Sequence, residues 1–461
     1  MRKVFLVYIV TACMMVTVVL AGPPREVWNR VYDSGYRDEA HSVAVDASGN
    51  SYVTGVTSYI AGHTRTIKYD TDGNVQWNRW YCPDADSAHG IVVDASGNVY
   101  ITGCAGFGYG HDYFTVKYDN DGIEQWDKVY DSGYDDHAYG IAVDASGSIY
   151  ITGGSGGGYD SHDDYCTIKY DANGNLQWEK VYDFYHDGSA YGIAVDQLSN
   201  VYVTGSFDYL TIKYDADGNL KWTRSYDSGY NDRAYGVAVD VSGNVYVTGS
   251  SGLGVDSDYL TIKYDTDGNL KWIRTYDSGC EDCAYGIAVD ALGDIYVTGF
   301  SWQKHGSVNS YYDYCTIKYD ADGNLQWVKT YDSGWKDIAY GIAVDASYNI
   351  YITGHSSDNY RTIKYEQDDI PAVVEQPKAG SPLRLEVLRN ITSNPVLQYT
   401  LPPSANGNLV LYSSNGQAVE KFTLTESESS VIFDCSLPSG VYFAKLTTEL
   451  SSTIAKVVLV K

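Results

Sequence analysis

Residues 234–250 read AYGVAVDVSGNVYVTGS, and residues 258–272 read DYLTIKYDTDGNLKW. Together they hold four short runs rich in Val, Ile, Tyr, Thr and Trp, separated by clusters of Gly, Asp and Asn. Runs of that composition bounded by such clusters are strands. Turns such as Ala145-Ser146-Gly147 and Ala216-Asp217-Gly218-Asn219 supply the positive φ that tight hairpins need. The same unit recurs along the chain. Its Trp segment begins at Trp28, Trp77, Trp126, Trp178, Trp222, Trp272 and Trp327, a period of about 50 residues. Its inner segment ends at Asp46, Asp94, Asp144, Asp196, Asp240, Asp290 and Asp345. Four antiparallel strands in each of seven units predict a seven-bladed β-propeller, an all-β fold. The Trp strand at 27–33 precedes every inner strand, while the last unit stops after 362–366 without one. Residues 27–33 are therefore expected to complete the seventh blade and close the ring, which removes exposed sheet edges.

The 461 residues carry 32 Lys+Arg against 59 Asp+Glu, a formal charge of −27. So acidic a body repels phosphate backbones, which argues against nucleic acid as a partner. Tyr and Gly each number 46, and the 3 Met (Met1, Met14 and Met15) lie near the start, as suits a turn-rich all-β chain.

The repeat unit resembles the SBBP family of bacterial β-propeller repeats and is similar to NHL repeats, over residues 27–366. The resemblance implies the fold and leaves reaction and ligand open.

Residues 1–21 have Arg2 and Lys3 before an apolar run from Val4 to Leu20, the pattern of a cleaved secretory signal peptide. A propeller is expected over 22–366, with no transmembrane segment in the mature chain. Residues 367–382, with Pro371, Pro377 and Pro382, read as a linker. Residues 383–461 contain seven candidate strands, which suggest a small immunoglobulin-like sandwich. Asn394-Pro395, Asn415-Gly416, the run Leu437 to Phe443 with Gly440 and Tyr442, and the end Lys456 to Lys461 resemble the C-terminal sorting domain of type IX secretion cargo. That resemblance implies export across an outer membrane, recognition by the secretion machinery, and a secreted or cell-surface location. An accessory sandwich is the plainer alternative.

Residues repeated in every unit are expected to be scaffold, and those that vary are the functional candidates. The lysines from Lys68 to Lys364 that recur in the TIKYD segments are therefore assigned to structure, facing acids across strands. The D-x-D-G segments, such as Asp70 to Gly73, are read as hairpin turns rather than calcium loops. Asp38, Asp86, Asp136, Asp232, Asp282 and Asp337 are expected to cap loop N–H groups in preference to a calcium ring. No cofactor is predicted, with structural calcium as the alternative.

Strand order puts all nine His on the face that carries the long loops. The position before the inner-strand Gly (Ser42 in the first unit) is His41, His89, Tyr139, Tyr191, Tyr235, Tyr285 and Tyr340, a ring at the channel mouth assigned mainly to packing. Blade 6 has the longest loop, at 300–314, so blades 5 to 7 are the expected binding side. Trp302, Trp335, His305, Tyr311, Tyr312, Tyr285, Tyr340 and His355 are the candidate ligand-binding residues, since flat rings edged by polar groups suit sugar faces. No pair of His has metal-ligand spacing in sequence, and the metal question is left open. Cys82 with Cys104 and Cys280 with Cys283 are candidate disulfides, whereas Cys166 and Cys315 fill apolar slots. The Gly-rich run 153–158 is read as a flexible loop. No enzyme signature is found. The function expected is non-catalytic binding of an extracellular polysaccharide or surface protein. The alternatives are a glycan-active hydrolase or lyase and a structural or adhesive surface component.

Overall fold

The computed structural model describes residues 23–57, 63–81, 87–106, 110–157, 162–183, 188–206, 208–253, 256–305, 309–367, 384–389, 396–401, 407–413, 418–424, 428–432, 440–447 and 452–459. The chain begins with β1 (Arg25–Tyr32), which joins the last blade. Blade 1 is β2 (Asp38–Val45), β3 (Ser51–Thr57), β4 (His63–Tyr69) and β5 (Val75–Tyr81). Blade 2 is β6 (Ser87–Val93), β7 (Val99–Ala105), β8 (Asp112–Tyr118) and β9 (Glu124–Tyr130). In blade 3, β10 (Asp136–Val143), β11 (Ile149–Gly157), β12 (His162–Tyr170) and β13 (Leu176–Tyr182) follow in the same order. Blade 4 runs from β14 (Ala190–Val195) to β17 (Leu220–Arg224), and blade 5 from β18 (Asn231–Val239) to β21 (Leu270–Tyr276). Blade 6 is β22 (Asp282–Val289), β23 (Ile295–His305), β24 (Asn309–Tyr319) and β25 (Leu325–Tyr331). Blade 7 takes β26 (Asp337–Val344), β27 (Ile350–Ser356) and β28 (Asn359–Glu366) and is finished by β1 on its outer edge, with Arg25 opposite Glu366 and Tyr32 opposite Tyr360. The ring closes as its sequence predicts.

Both faces of each blade are buried, and period-two alternation sorts their residues. One face presents Tyr52 and Trp77 in blade 1, and it packs on Val99, Ile101, Phe114 and Val116 from the opposite face of blade 2. The equivalent Tyr in every blade, from Tyr52 to Tyr351, is fully buried. Its hydroxyl donates to the Asp that ends the inner strand, as Tyr246 does to Asp240 at 2.9 Å. That Asp also accepts the N–H groups of Ser242 and Asn244, which fixes the tight turn. A latch ties five of the outer strands, through Trp28, Trp77, Trp178, Trp222 and Trp272, to the next blade's outer turn. Trp77 Nε1 donates to the Asn120 carbonyl at 3.0 Å and Arg79 Nε to the Gly122 carbonyl at 2.6 Å.

The recurrent lysines belong to this latch and are structural, but their partners differ from those expected. Lys213, Lys263 and Lys364 donate to the carbonyls of Thr266, Ala321 and Thr71, and each Nζ lies over the buried Tyr ring of its own blade. A turn carbonyl plus a π face satisfies a half-buried ammonium without a second desolvated charge. Lys318 is the exception. Blade 7 has no outer turn of its own to offer, and Lys318 pairs with Asp294 at 2.8 Å and Gln367 at 2.9 Å.

The Gly-rich run also differs. Gly153 to Gly157 continue β11 and pair with Cys166 to His162 of β12. A Cβ at Gly154 would stand 2.6 Å from Ser189 Oγ, so the glycines let the neighbouring blade come close and do not loosen the chain. Cys166 and Cys315 are fully buried, as expected for apolar slots.

Among the described residues, seven further strands lie beyond residue 383. β29 (Arg384–Arg389), β30 (Val396–Thr400) and β33 (Glu428–Ile432) form one sheet. β32 (Ala418–Leu424), β31 (Gly407–Ser413), β34 (Gly440–Thr447) and β35 (Ser452–Leu459) form the other. Leu409, Leu411 and Leu446 of the second sheet are buried, and both Leu401 and Leu446 crowd Gly407, as in the core of a small sandwich. Of the sorting-signal residues, Gly440 and Tyr442 lie on β34 opposite Leu459 and Val457, and Lys456 on β35 opposite Phe443. Asn394, Pro395, Gly416 and Lys461 lie outside the described residues, as do the signal peptide at 1–21 and the linker from 368 onward. Among the described residues no helix is long and apolar enough to cross a membrane.

Candidate functional site

The inner strand of every blade carries a β-bulge. In β18 the pairing runs Ala234 to Gly249 and then Gly236 to Thr248, so Tyr235 is the extra residue, and the register shifts at the same point in the other six. A bulged residue is released from the ladder and re-aimed. Here it is turned into the channel. The seven bulge residues form an unbroken aromatic ring. His41 stacks on His89 at 4.9 Å, and His89 lies 5.3 Å from Tyr139. Tyr139, Tyr191, Tyr235, Tyr285 and Tyr340 follow at 5.1, 5.3, 5.0 and 5.2 Å, and Tyr340 returns to His41 at 5.7 Å. Tilted and edge-on contacts of this kind are the favoured aromatic geometries. The ring heads a cavity of 440 Å³, and Val43, Ile91 and Ile287 are among the aliphatics that line it with the glycines between. Tyr235 and Tyr340 are each pushed up to about 12 by burial, so they are neutral hydroxyl donors at physiological pH.

The two histidines break the ring's chemical symmetry. His89 is half-buried and lines the channel cavity. Burial, with His41 and His137 nearby, holds its pKa well below 6.5. His41 Nδ1 lies 2.8 Å from the Ala88 carbonyl, and its Nε2 lies 3.6 Å from Glu39. His41 is the main cause that lowers Glu39 to about 2, with Arg37 adding to it. In the unfolded chain His89 would accept a proton below about pH 6.5, whereas in the fold it resists one. Stability is therefore full above that pH and declines as pH falls, by at most about 1.4 kcal/mol per pH unit for one such group. His89→Tyr installs the residue that five blades already use. It should give a shallower fall in Tm between pH 7 and 5, with part of the slope retained by the depressed His355. Identical slopes for the two proteins would contradict this account of His89.

The residues nominated on blades 6 and 7 fall into two groups. The β23–β24 hairpin is the longest in the ring and sets Trp302 opposite Tyr312. Trp302 N–H donates to the Glu281 carbonyl at 2.9 Å, and Tyr312 hydroxyl to the Glu281 carboxylate at 3.0 Å. Tyr312 packs edge-on to Phe300 at 4.4 Å, and Phe300 lies 6.0 Å from Tyr285, so aromatic contact runs from the hairpin to the channel ring. Outside it, Tyr311 lies 6.2 Å from Trp335, which is 61% exposed. His355 is different. It is 3% exposed, which takes it out of reach of a ligand on the surface. His305 ends β23 opposite Asn309.

Trp335 has counterparts in other blades. Tyr36, Tyr134 and Tyr230 occupy the same place after Asp-Ser-Gly and are 50%, 52% and 55% exposed. They are not among the residues nominated from the sequence, although the position varies between units, with Cys280 and Trp335 at the same place. The loop that presents them is held by the capping aspartates. Asp232 accepts Ser228 N–H at 2.6 Å, and Asp38, Asp136, Asp282 and Asp337 make the same bond, as the sequence predicts. Asp86 lies outside the described residues.

Cys280 and Cys283 are free thiols. The expected bridge is not formed, because β22 aligns Cys283 opposite Phe300 and buries it beside Phe300 and Ile338. Burial pushes the Cys283 thiol up to about 12. Cys104 is buried with Sγ 3.7 Å from His89 Nε2, and Cys82 lies outside the described residues. Among the described residues, the side chains close enough to share a metal ion are His111 with Asp135 and His137, and three acidic triads that recur at blade junctions. Sequence spacing does not bring the first group together, because His111 belongs to blade 2 and Asp135 and His137 to blade 3.

The model of the SBBP beta-propeller repeat matches residues 31–59, 184–206 and 227–252. No curated protein matches the chain. Among solved structures, a protein of unknown function from Bacteroides caccae aligns with a TM-score of 0.42 at 10% identity, over 66% of this chain and 97% of that one. The extracellular domain of a putative hybrid two component system from B. thetaiotaomicron aligns with a TM-score of 0.45 at 11% identity, over 95% of this chain and 60% of that one.

Proposed function

We propose that the chain is an exported, non-catalytic binding propeller whose long-loop face takes up an extracellular polysaccharide. The observation that carries this reading is the exposed Trp335 with Tyr311 beside it, continued around the face by Tyr36, Tyr134 and Tyr230. Exposed aromatic rings in a water-facing rim cost solvation unless something apolar covers them, and the C–H faces of sugars are flat, apolar and edged by hydroxyls. The acids around these rings suit hydroxyl donors and disfavour polyanions. A panel of neutral and acidic polysaccharides tested against the purified chain should give binding to a neutral glycan. Trp335→Ala should weaken it about tenfold, the worth of one stacking contact. A partner found only among surface proteins, or product release from a glycan, would replace this reading with one of its rivals.

Delivery is assigned to the C-terminal sandwich, on the strength of the type IX sorting resemblance at Gly440, Tyr442 and Lys456. A chain ending at residue 382 should be retained inside the producing cell. Unchanged export of that chain would remove the sorting role.

A further inference from the structure

The junction of blades 2 and 3 gathers three donors, one from blade 2 and two that stand two residues apart at the start of blade 3. His111 stands just before β8, in the long loop of blade 2. Asp135 and His137 flank the start of β10, the inner strand of blade 3. His111 Nδ1 lies 2.8 Å from Asp135 Oδ1, and His137 Nε2 lies 3.4 Å from Asp135 Oδ2. The two imidazoles are 4.9 Å apart, and one donor atom from each of the three residues lies within 4.8 Å of the others. We propose that these residues bind a divalent transition-metal ion of the zinc class.

The frame that holds them is built from backbone. His111 N–H donates to Asp135 Oδ1 at 2.9 Å, Asp136 N–H to the His111 carbonyl at 2.6 Å, and Gly156 N–H to the Asp135 carbonyl at 2.9 Å. Both blades thus fix the donors before any ion arrives, which reduces the ordering cost of binding. Two imidazoles and one carboxylate are a borderline donor set that suits zinc, cobalt, nickel or copper, whereas calcium takes oxygen. Ligand atoms about 2.0–2.2 Å from a tetrahedral zinc ion stand roughly 3.3–3.5 Å apart. Small rotations of the side chains reach that spacing. His111, Asp135 and His137 keep 27%, 39% and 25% of their side-chain surface, so the ion would hold three protein ligands with a position open to water. That is the geometry of a site that can also take a ligand oxygen. It faces the channel ring, since His137 stacks with Tyr139 at 6.3 Å. The ion would therefore pin blade 2 to blade 3 and offer a Lewis-acid contact beside the mouth of the channel.

The test uses the full chain without a histidine tag, with cobalt as spectroscopic probe and zinc as competitor. One equivalent of cobalt should bind with the visible absorption of a four- or five-coordinate ion. Zinc should displace it, and excess calcium should not. His111→Ala and His137→Ala should each weaken binding at least about tenfold, since even outer partners of metal ligands are worth that much. Zinc should raise the Tm of the parent chain and leave that of either variant unmoved. Cys280→Ser, which removes a half-buried thiol elsewhere on the face, should bind as the parent does. Absence of stoichiometric cobalt and zinc binding by a chain that melts normally would overturn the proposal. So would displacement by calcium, or binding that survives both histidine substitutions.

Discussion

Deletion of residues 23–33 is expected to abolish the folded propeller, giving a chain with no cooperative melting transition and with aggregation on purification. β1 supplies the outer strand of blade 7, and its loss uncovers the whole edge of β28. Trp28 is 5% exposed and sits in the cluster that joins blade 7 to blade 1, with Tyr351, Tyr360, Val53 and Ile67. Loss of a buried Trp alone costs about 3–5 kcal/mol. Three latching contacts leave with it: Trp28 to the Thr71 carbonyl, Arg30 to the Gly73 carbonyl, and Arg361 to Asn29. Against a typical total stability of about 5–15 kcal/mol, little remains to hold the last blade on the ring. A bare β28 is also an invitation to intermolecular pairing. Circular dichroism with size-exclusion chromatography reads both effects. A monomeric deletion variant with an unchanged Tm would show that the ring is held shut by other contacts.

Gly249→Ala should be nearly as damaging, for a reason invisible in a list of buried side chains. The bulge at Tyr235 brings the carbonyl of Arg233 over the next strand, 1.9 Å from where a Cβ on Gly249 would stand. No real contact is that short, so the inner ladder itself has to move. The same crowding recurs at Gly55, Gly103, Gly153, Gly205, Gly299 and Gly354, each against the carbonyl that precedes the bulge. The bulge that aims the ring aromatics is thus what forbids a side chain on the paired strand. A cost on the order of 3 kcal/mol is expected, at the high end for overpacking. Denaturant melts of Gly249→Ala beside Ser250→Ala separate this effect from simple loss of polar contact. A shift below about 0.5 kcal/mol at Gly249, the size of an ordinary surface change, would contradict the bulge argument.

The repeat made the fold legible, and its two ends made the closure legible, because a missing Trp strand at one end matched a spare one at the other. The capping role of Asp232 and its equivalents was also readable, from their fixed place two residues before the Ala of the inner strand. The candidate site was only half readable. The aromatics of the β23–β24 hairpin stood out by variation from blade to blade. Tyr36, Tyr134 and Tyr230 did not, because the long loops of blades 5 to 7 were the expected binding side, whereas the shorter Asp-Ser-Gly loops also lift rings into water. The His111–Asp135–His137 group escaped entirely. Its two histidines are 26 residues apart in sequence and meet only through the packing of two blades. The lysine partners were misjudged for a related reason: across a blade junction the nearest acceptor is a turn carbonyl, and no pairing rule within one sheet reveals it.

The central claim is that the aromatic rim on the long-loop face is a binding surface. Its most direct test is a calorimetric titration of the parent chain and of Trp335→Ala/Tyr311→Ala with the neutral polysaccharide that the panel selects. Trp335 is largely exposed, so the double variant should keep a Tm close to that of the parent. Two lost rings at about 0.5–1.5 kcal/mol each should weaken affinity by about fivefold to 150-fold. An unchanged affinity in a folded double variant, or no polysaccharide binding by the parent chain, would contradict it.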